Sequence, residues 1–99
     1  MMKVGAVGLG NRITHVFLEF KKINPDFSLV AFVDSQPIGK NFAEQHNFFP
    51  SMQYSSLEVM LEKENLDLLM IGSPNHKHLE HIKIGLEAGL TIFAEKPVV

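Results

Sequence analysis

The 99-residue chain has no cysteine. It therefore forms no disulfide, thiolate metal site or cysteine nucleophile, a pattern that fits a reducing compartment, and the cytoplasm is the expected location. It also lacks a charge excess: nine Lys and Arg against eleven Asp and Glu leave a formal net charge of −2. No broad field draws in nucleic acid or an anionic membrane, so neither is an expected partner. There is no run of like charge, low-complexity tract or internal repeat. No apolar run approaches the ~20 residues that span a bilayer. The start, Met1-Met2-Lys3-Val4, has neither the apolar segment nor the cleavage site of a signal peptide. With 45% hydrophobic and 20% charged residues, the composition is that of one globular domain around one core.

What is present begins with Val4-Gly5-Ala6-Val7-Gly8-Leu9-Gly10-Asn11-Arg12, an apolar strand that enters a glycine turn and then a helix. Gly8 and Gly10 are the first two glycines of a G-x-G-x-x-G dinucleotide fingerprint, and Ile13 holds the third place. Such a turn brings backbone N–H groups to a pyrophosphate at a helix N-terminus, where the helix dipole favours negative charge.

Strands and helices then alternate. Lys3 to Val7 is the first strand, apolar on both faces as buried parallel strands are. Ile13, Val16, Phe17 and Phe20 lie on one face of the first helix, which Asn24-Pro25-Asp26 stops. Ser28 to Val33 is the second strand. A short helix, Lys40 to His46, turns Phe42 and Ala43 inward, and Met52 to Tyr54 forms an edge-like strand. Ser55-Ser56-Leu57-Glu58 has the S-x-x-E spacing of a capping box and opens a third helix with Leu57, Met60 and Leu61 buried. Asp67 to Ile71 is another buried strand. A fourth helix from Lys77 to Ala88 directs Leu79, Ile82 and Leu86 inward and ends at Gly89. Thr91 to Ala94 is the last strand. The alternation implies right-handed crossovers and a doubly wound α/β fold, Rossmann-like, its mostly parallel sheet ordered 3-2-1-4-5 without a sixth strand.

In such a sheet, ligands bind beyond the carboxyl ends of the strands. The polar clusters fall there: Gly8 and Gly10, then Asp34, Ser73 to His78, and Glu95-Lys96-Pro97. Asp34 lies 24 residues beyond Gly10, near the ~20-residue interval to the acidic group that binds the adenosine ribose. Its carboxylate accepts both ribose hydroxyls and repels a 2′-phosphate. With no arginine beside it, NAD is favoured and NADP left open. The plainer alternatives are a solvated strand-end aspartate, a helix cap at Ser73 to His78, and an exposed Lys96. His76, His78 and His81 invite a metal reading, but no carboxylate or cysteine stands at ligand spacing, so no metal site is expected. His15 and His46 read as surface or boundary residues.

Taken together, Gly8-Leu9-Gly10-Asn11-Arg12, Asp34, Ser73-Pro74-Asn75-His76-Lys77-His78, Leu86-Glu87-Ala88-Gly89 and Glu95-Lys96-Pro97 closely resemble the Gfo/Idh/MocA oxidoreductases, across essentially the whole chain. The resemblance implies an N-terminal NAD(P)-binding domain over residues 1–99, cut short of its last strand and of a C-terminal domain. It implies hydride transfer between nicotinamide and a secondary alcohol or ketone of a sugar, cyclitol or related substrate. By that analogy Gly8, Leu9, Gly10, Asn11 and Arg12 hold the pyrophosphate and Asp34 the ribose. Ser73, Pro74, Asn75 and His78 line the nicotinamide ribose, Glu95 borders the nicotinamide, and Lys96 is the catalytic residue at the reacting oxygen.

Two departures follow. Ile13 overfills a place kept small in the family, at a cost of about 1–3 kcal/mol unless the site is reshaped, and Gly5 is the residue expected to make room. By the resemblance, the general base, the substrate pocket and the oligomer interface are expected in a C-terminal domain, outside these 99 residues. Turnover by the 99 residues alone is not expected, and a homo-oligomer is left open. A non-catalytic nucleotide-binding or sensing module and an inactive structural fragment are the competing readings.

Overall fold

The structure, a computed structural model, describes residues 2–50, 52–72 and 75–94; for Asn75, His76 and His78 it describes the backbone alone. The elements run β1 (Met2–Val7), α1 (Asn11–Ile23), β2 (Phe27–Val33), α2 (Lys40–Gln45), β3 (Met52–Gln53), α3 (Leu57–Lys63), β4 (Leu68–Ile71), α4 (Asn75–Glu87) and β5 (Thr91–Ala94). All four strand pairings are parallel and the order is β3-β2-β1-β4-β5. This is the expected topology. β1 is central, and Asp67 ties its start to β4: the Lys3 N–H donates to Asp67 Oδ2 at 2.8 Å, and the Asp67 N–H to the Lys3 carbonyl at 2.7 Å.

The pleat sends successive side chains to opposite faces, so each central strand feeds two cores. Val4 and Ala6 of β1 and Leu68 and Met70 of β4 join Ile13 and Phe17 of α1 on one face. Val7, Leu69 and Ile71 join Leu57 and Met60 of α3 on the other. The result is a helix–sheet–helix sandwich with Phe17, Leu9, Ile13, Met60 and Leu69 fully enclosed. Full burial of each such side chain contributes about 1.5–3 kcal/mol.

Helix ends are set as anticipated at two places. Asn24 closes α1, its N–H donating to the Phe20 carbonyl, while its Oδ1 accepts from Asp26 N–H. Gly89, at φ +77, turns the chain out of α4, so that the Leu90 N–H reaches the Gly85 carbonyl at 3.1 Å. His15 and His46 are exposed, and His15 stacks on Phe42 with ring centroids 3.7 Å apart.

Three packing expectations are corrected. The cap of α3 is Ser56, whose Oγ accepts from the Val59 N–H, so the S-x-x-E pair beginning at Ser55 is not a capping box. Ser55 lies one residue outside the helix, which places Glu58 at the second helical position. Leu79 and Leu86 do not point inward: they are 82% and 60% exposed. Ile82 does pack on the core. The helix settles on the sheet through Gly85, where a Cβ would come within 2.4 Å of Ile92 Cδ1 and 3.0 Å of Leu69 Cδ2. Leu86 is rotated about 100° from that contact line, and Leu79 lies on the same outer side. Finally, Gly72 rather than Gly5 makes room for Ile13. A Cβ on Gly72 would lie 2.3 Å from Ile13 Cγ1, whereas one on Gly5 would meet Leu66 Cδ1 at 2.5 Å on the other face.

Candidate functional site

A cleft of about 550 Å³ opens at the carboxyl edge of the sheet. One wall is the β1–α1 turn, at Gly8 and Gly10. A second is the β2–α2 segment from Asp34 to Ile38. Ser55, Gly72, Lys77 and His81 complete it. A second hollow of similar volume lies beyond the β2–α2 segment, between Lys40, Phe49, Pro50 and Gln53, with the Lys40 ammonium 5.6 Å from the Phe49 ring centroid. It shares Ser35, Gln36 and Ile38 with the cleft but does not reach the glycine turn.

The turn is held by its neighbours. Gly8 has φ +84, a conformation open to glycine at no steric cost. Its N–H donates to the Val33 carbonyl at 2.8 Å, and the Gly72 N–H donates to the Val7 carbonyl at 2.8 Å. Leu9 is gripped at both ends of its backbone: its N–H donates to Asp34 Oδ2 at 2.7 Å, and its carbonyl accepts from the Gly39 N–H at 3.0 Å. Gly39 comes so close that a Cβ there would sit 2.5 Å from the Gly10 carbonyl oxygen. Thr14, fully buried, satisfies its hydroxyl on the carbonyls of Gly10 and Asn11.

Gly10 is the N-cap of α1 and offers no side-chain cap, and no acidic residue stands in the first turn. The first N–H groups of a helix have no intrahelical acceptor, so this end keeps donors and partial positive charge for an anion. A Cβ on Gly10 would meet nothing within 4 Å, so the cap faces open space. Asp34 spends one oxygen on Leu9 and the other on the Gln36 N–H at 2.9 Å. Each carboxylate oxygen has a further lone pair, so the group can still accept from hydroxyls. These features fit the diphosphate and ribose of a dinucleotide.

Of the site residues expected from sequence, Gly8, Gly10 and Asp34 come together in the cleft. Leu9 supports it from below: its side chain is fully buried and its N–H is committed to Asp34. Asn11 and Arg12 are exposed on the first turn of α1 and do not line the cleft. Asn75 and His78 belong to the backbone of α4, which starts two residues earlier than anticipated. Their side chains, and all of Ser73, Pro74, Glu95 and Lys96, lie outside the described residues. Beyond those residues, Ser55, Gly72 and His81 line the cleft without having been singled out for it, and Lys77 lines it from within the expected Ser73 to His78 cluster. The strand-end rule reaches the first two, which follow β3 and β4. The four-residue spacing of Lys77 and His81 places them on one face of α4.

Beside Ser55, the Tyr54 hydroxyl donates to the Glu64 carboxylate, and the Tyr54 N–H donates to the Phe32 carbonyl at 2.9 Å. The loop is thereby tied both to the sheet and to the far end of α3. The hydrogen bond to Glu64, then burial and the Glu64 charge, push the Tyr54 hydroxyl above its ordinary pKa of 10.0.

Residues 2–99 match the model of a family described as "Oxidoreductase family, NAD-binding Rossmann fold". D-glucoside 3-dehydrogenase of Escherichia coli is 28% identical over 96 residues, which cover 97% of this chain and 27% of that protein. A 1-carboxy-3-chloro-3,4-dihydroxycyclohexa-1,5-diene dehydrogenase of Comamonas testosteroni is 28% identical over 98 residues, 98% of this chain and 24% of that one. Scyllo-inositol dehydrogenase of Lactobacillus casei, solved with bound NAD(H) and scyllo-inositol, superposes with a TM-score of 0.73 at 26% identity, covering 97% of this chain and 28% of that one. The chain spans about a quarter of the length of the curated relatives it matches.

Proposed function

The chain belongs to the Gfo/Idh/MocA oxidoreductase family, and on that premise we propose that residues 1–99 are the cofactor-binding part of an NAD-dependent dehydrogenase acting on a secondary alcohol or ketone of a sugar or cyclitol. The observation that carries this reading is the uncapped α1 N-terminus facing the same cleft as Asp34. When bound, the nicotinamide exchanges a hydride with the carbon that bears the substrate oxygen.

The chain's own residues bind and orient. The first-turn amides of α1 hold the diphosphate, a role for which backbone donors are already aimed and need no reorganisation. Asp34 accepts from the adenosine ribose hydroxyls while keeping its bond to Leu9, so ribose position and turn geometry are coupled through one carboxylate. Its charge disfavours a 2′-phosphate, which is why NAD is preferred to NADP. Lys96, two residues beyond the end of β5 in the sequence, is assigned by the family resemblance alone to the reacting oxygen, where a lysine cation would stabilise developing alkoxide. Asn75 and His78 serve the nicotinamide ribose. Substrate selection and the general base lie with residues outside this chain, following the family pattern, as does any subunit interface.

Titration of the 99-residue chain with NADH and NADPH, followed by nicotinamide fluorescence and calorimetry, tests the binding claim. NADH is expected to bind more tightly than NADPH. No heat and no fluorescence change at millimolar NADH would overturn the assignment of the cleft.

A further inference from the structure

Resting on the cofactor reading above, we infer that Lys77 of α4, rather than Arg12 of the glycine fingerprint, supplies the cation that faces the diphosphate. An anionic diphosphate seated at the α1 N-terminus meets neutral backbone donors there, and it shares the cleft with the Asp34 carboxylate. A cation facing the diphosphate from the opposite wall would offset the Asp34 charge and add to the attraction of the helix N-terminus.

Among the described residues that line the cleft, Lys77 carries the one permanent positive charge. Arg12, the cation that the fingerprint brings nearest in sequence, is exposed on α1 and is not part of the lining. Lys77 is exposed, and among the described residues its ammonium makes no ion pair with a carboxylate. It is the third residue of α4, where the helix macrodipole adds to the positive potential. His81, four residues on, lines the cleft from the same helix face. The cation thus comes from the crossover after β4, across the switch point from the glycine turn.

The experiment titrates NADH into the 99-residue chain and into Lys77→Met, Lys77→Arg and Arg12→Met, at several salt concentrations, with adenosine as the uncharged probe and thermal melting as a check on folding. Lys77→Met is expected to weaken NADH about tenfold, the size of one partly exposed charge-assisted contact. It should also flatten the salt dependence and leave adenosine binding and the melting temperature unchanged. Lys77→Arg should retain most of the affinity, and Arg12→Met should stay within about twofold of the parent. Parental NADH affinity and salt dependence in Lys77→Met would overturn the inference, as would an equal loss of adenosine binding or a loss carried by Arg12→Met. If the parent chain binds no NADH, the cofactor reading itself fails and the role of Lys77 falls with it.

Discussion

The Asp34 carboxylate accepts the Leu9 N–H at 2.7 Å, joining the end of β2 to the middle of the glycine turn. The residue read from sequence as a ribose acceptor is therefore also a structural clamp on the turn that would receive the diphosphate. Asp34→Ala should lower stability by about 1.5–3 kcal/mol, the range for a hydrogen bond to a charged group, and should weaken NADH binding. Asp34→Asn keeps an acceptor and should recover part of the stability. Urea denaturation of both variants checks this; a parental midpoint in Asp34→Ala would show that the clamp contributes nothing.

Ile13 and Gly72 should be energetically coupled. Gly72→Ala places a methyl 2.3 Å from Ile13 Cγ1 and 2.9 Å from the Gly8 carbonyl oxygen, so it should cost about 1–3 kcal/mol. Ile13→Ala should cost about 2–5 kcal/mol through the cavity it leaves. The double variant should lose less than the sum by about 1 kcal/mol, because the first clash disappears with the isoleucine. The Gly8 contact remains, so recovery stays partial. Strict additivity in a double-mutant cycle would refute the pairing.

The two serines before α3 should behave differently. Ser56→Ala removes the acceptor of the Val59 N–H and should cost about 1 kcal/mol. Ser55→Ala should change stability by less than about 0.5 kcal/mol, since Ser55 is exposed and lies outside the helix. Equal losses in thermal melts would return the cap to Ser55.

Tyr54 is the only tyrosine in the chain, so its ionisation can be followed in the ultraviolet without interference. Its folded pKa is raised above the ordinary 10.0, chiefly by the hydrogen bond to Glu64. The sign follows from linkage: the stabilisation is complete below pH 10 and is lost as pH rises through the folded value. Glu64→Gln should bring the midpoint down toward 10 and reduce the alkaline sensitivity of folding. An unchanged midpoint in Glu64→Gln would remove Glu64 as the cause.

Much of this molecule is legible in one dimension because its decisive signals are local. Gly8 must take a positive φ, which marks a turn whatever surrounds it. Parallel strands bring their carboxyl ends to one edge, so Asp34 and Gly10 could be assigned to a common site from position alone. One departure, Ser56 rather than Ser55 as the cap of α3, is a shift of a single residue in local register; the other two depend on a neighbour distant in sequence. Leu79, Ile82 and Leu86 satisfy helical periodicity, yet periodicity cannot tell which of two adjacent stripes meets the sheet. Gly85 decides it by allowing close approach to Ile92 and Leu69. The same holds for Ile13, whose bulk is taken up by the distant Gly72 and not by the nearby Gly5.

By itself, then, the sequence determined the order and kind of the elements, the glycine turn and the strand edge at which chemistry gathers, because these follow from dihedral preference, side-chain period and the handedness of crossovers. Tertiary structure alone decided which face of α4 is buried, that the Leu9 N–H belongs to Asp34, and that Lys77 rather than Arg12 lines the cleft. Those outcomes depend on packing distances of a few ångströms between segments far apart in the chain, and no local propensity encodes them.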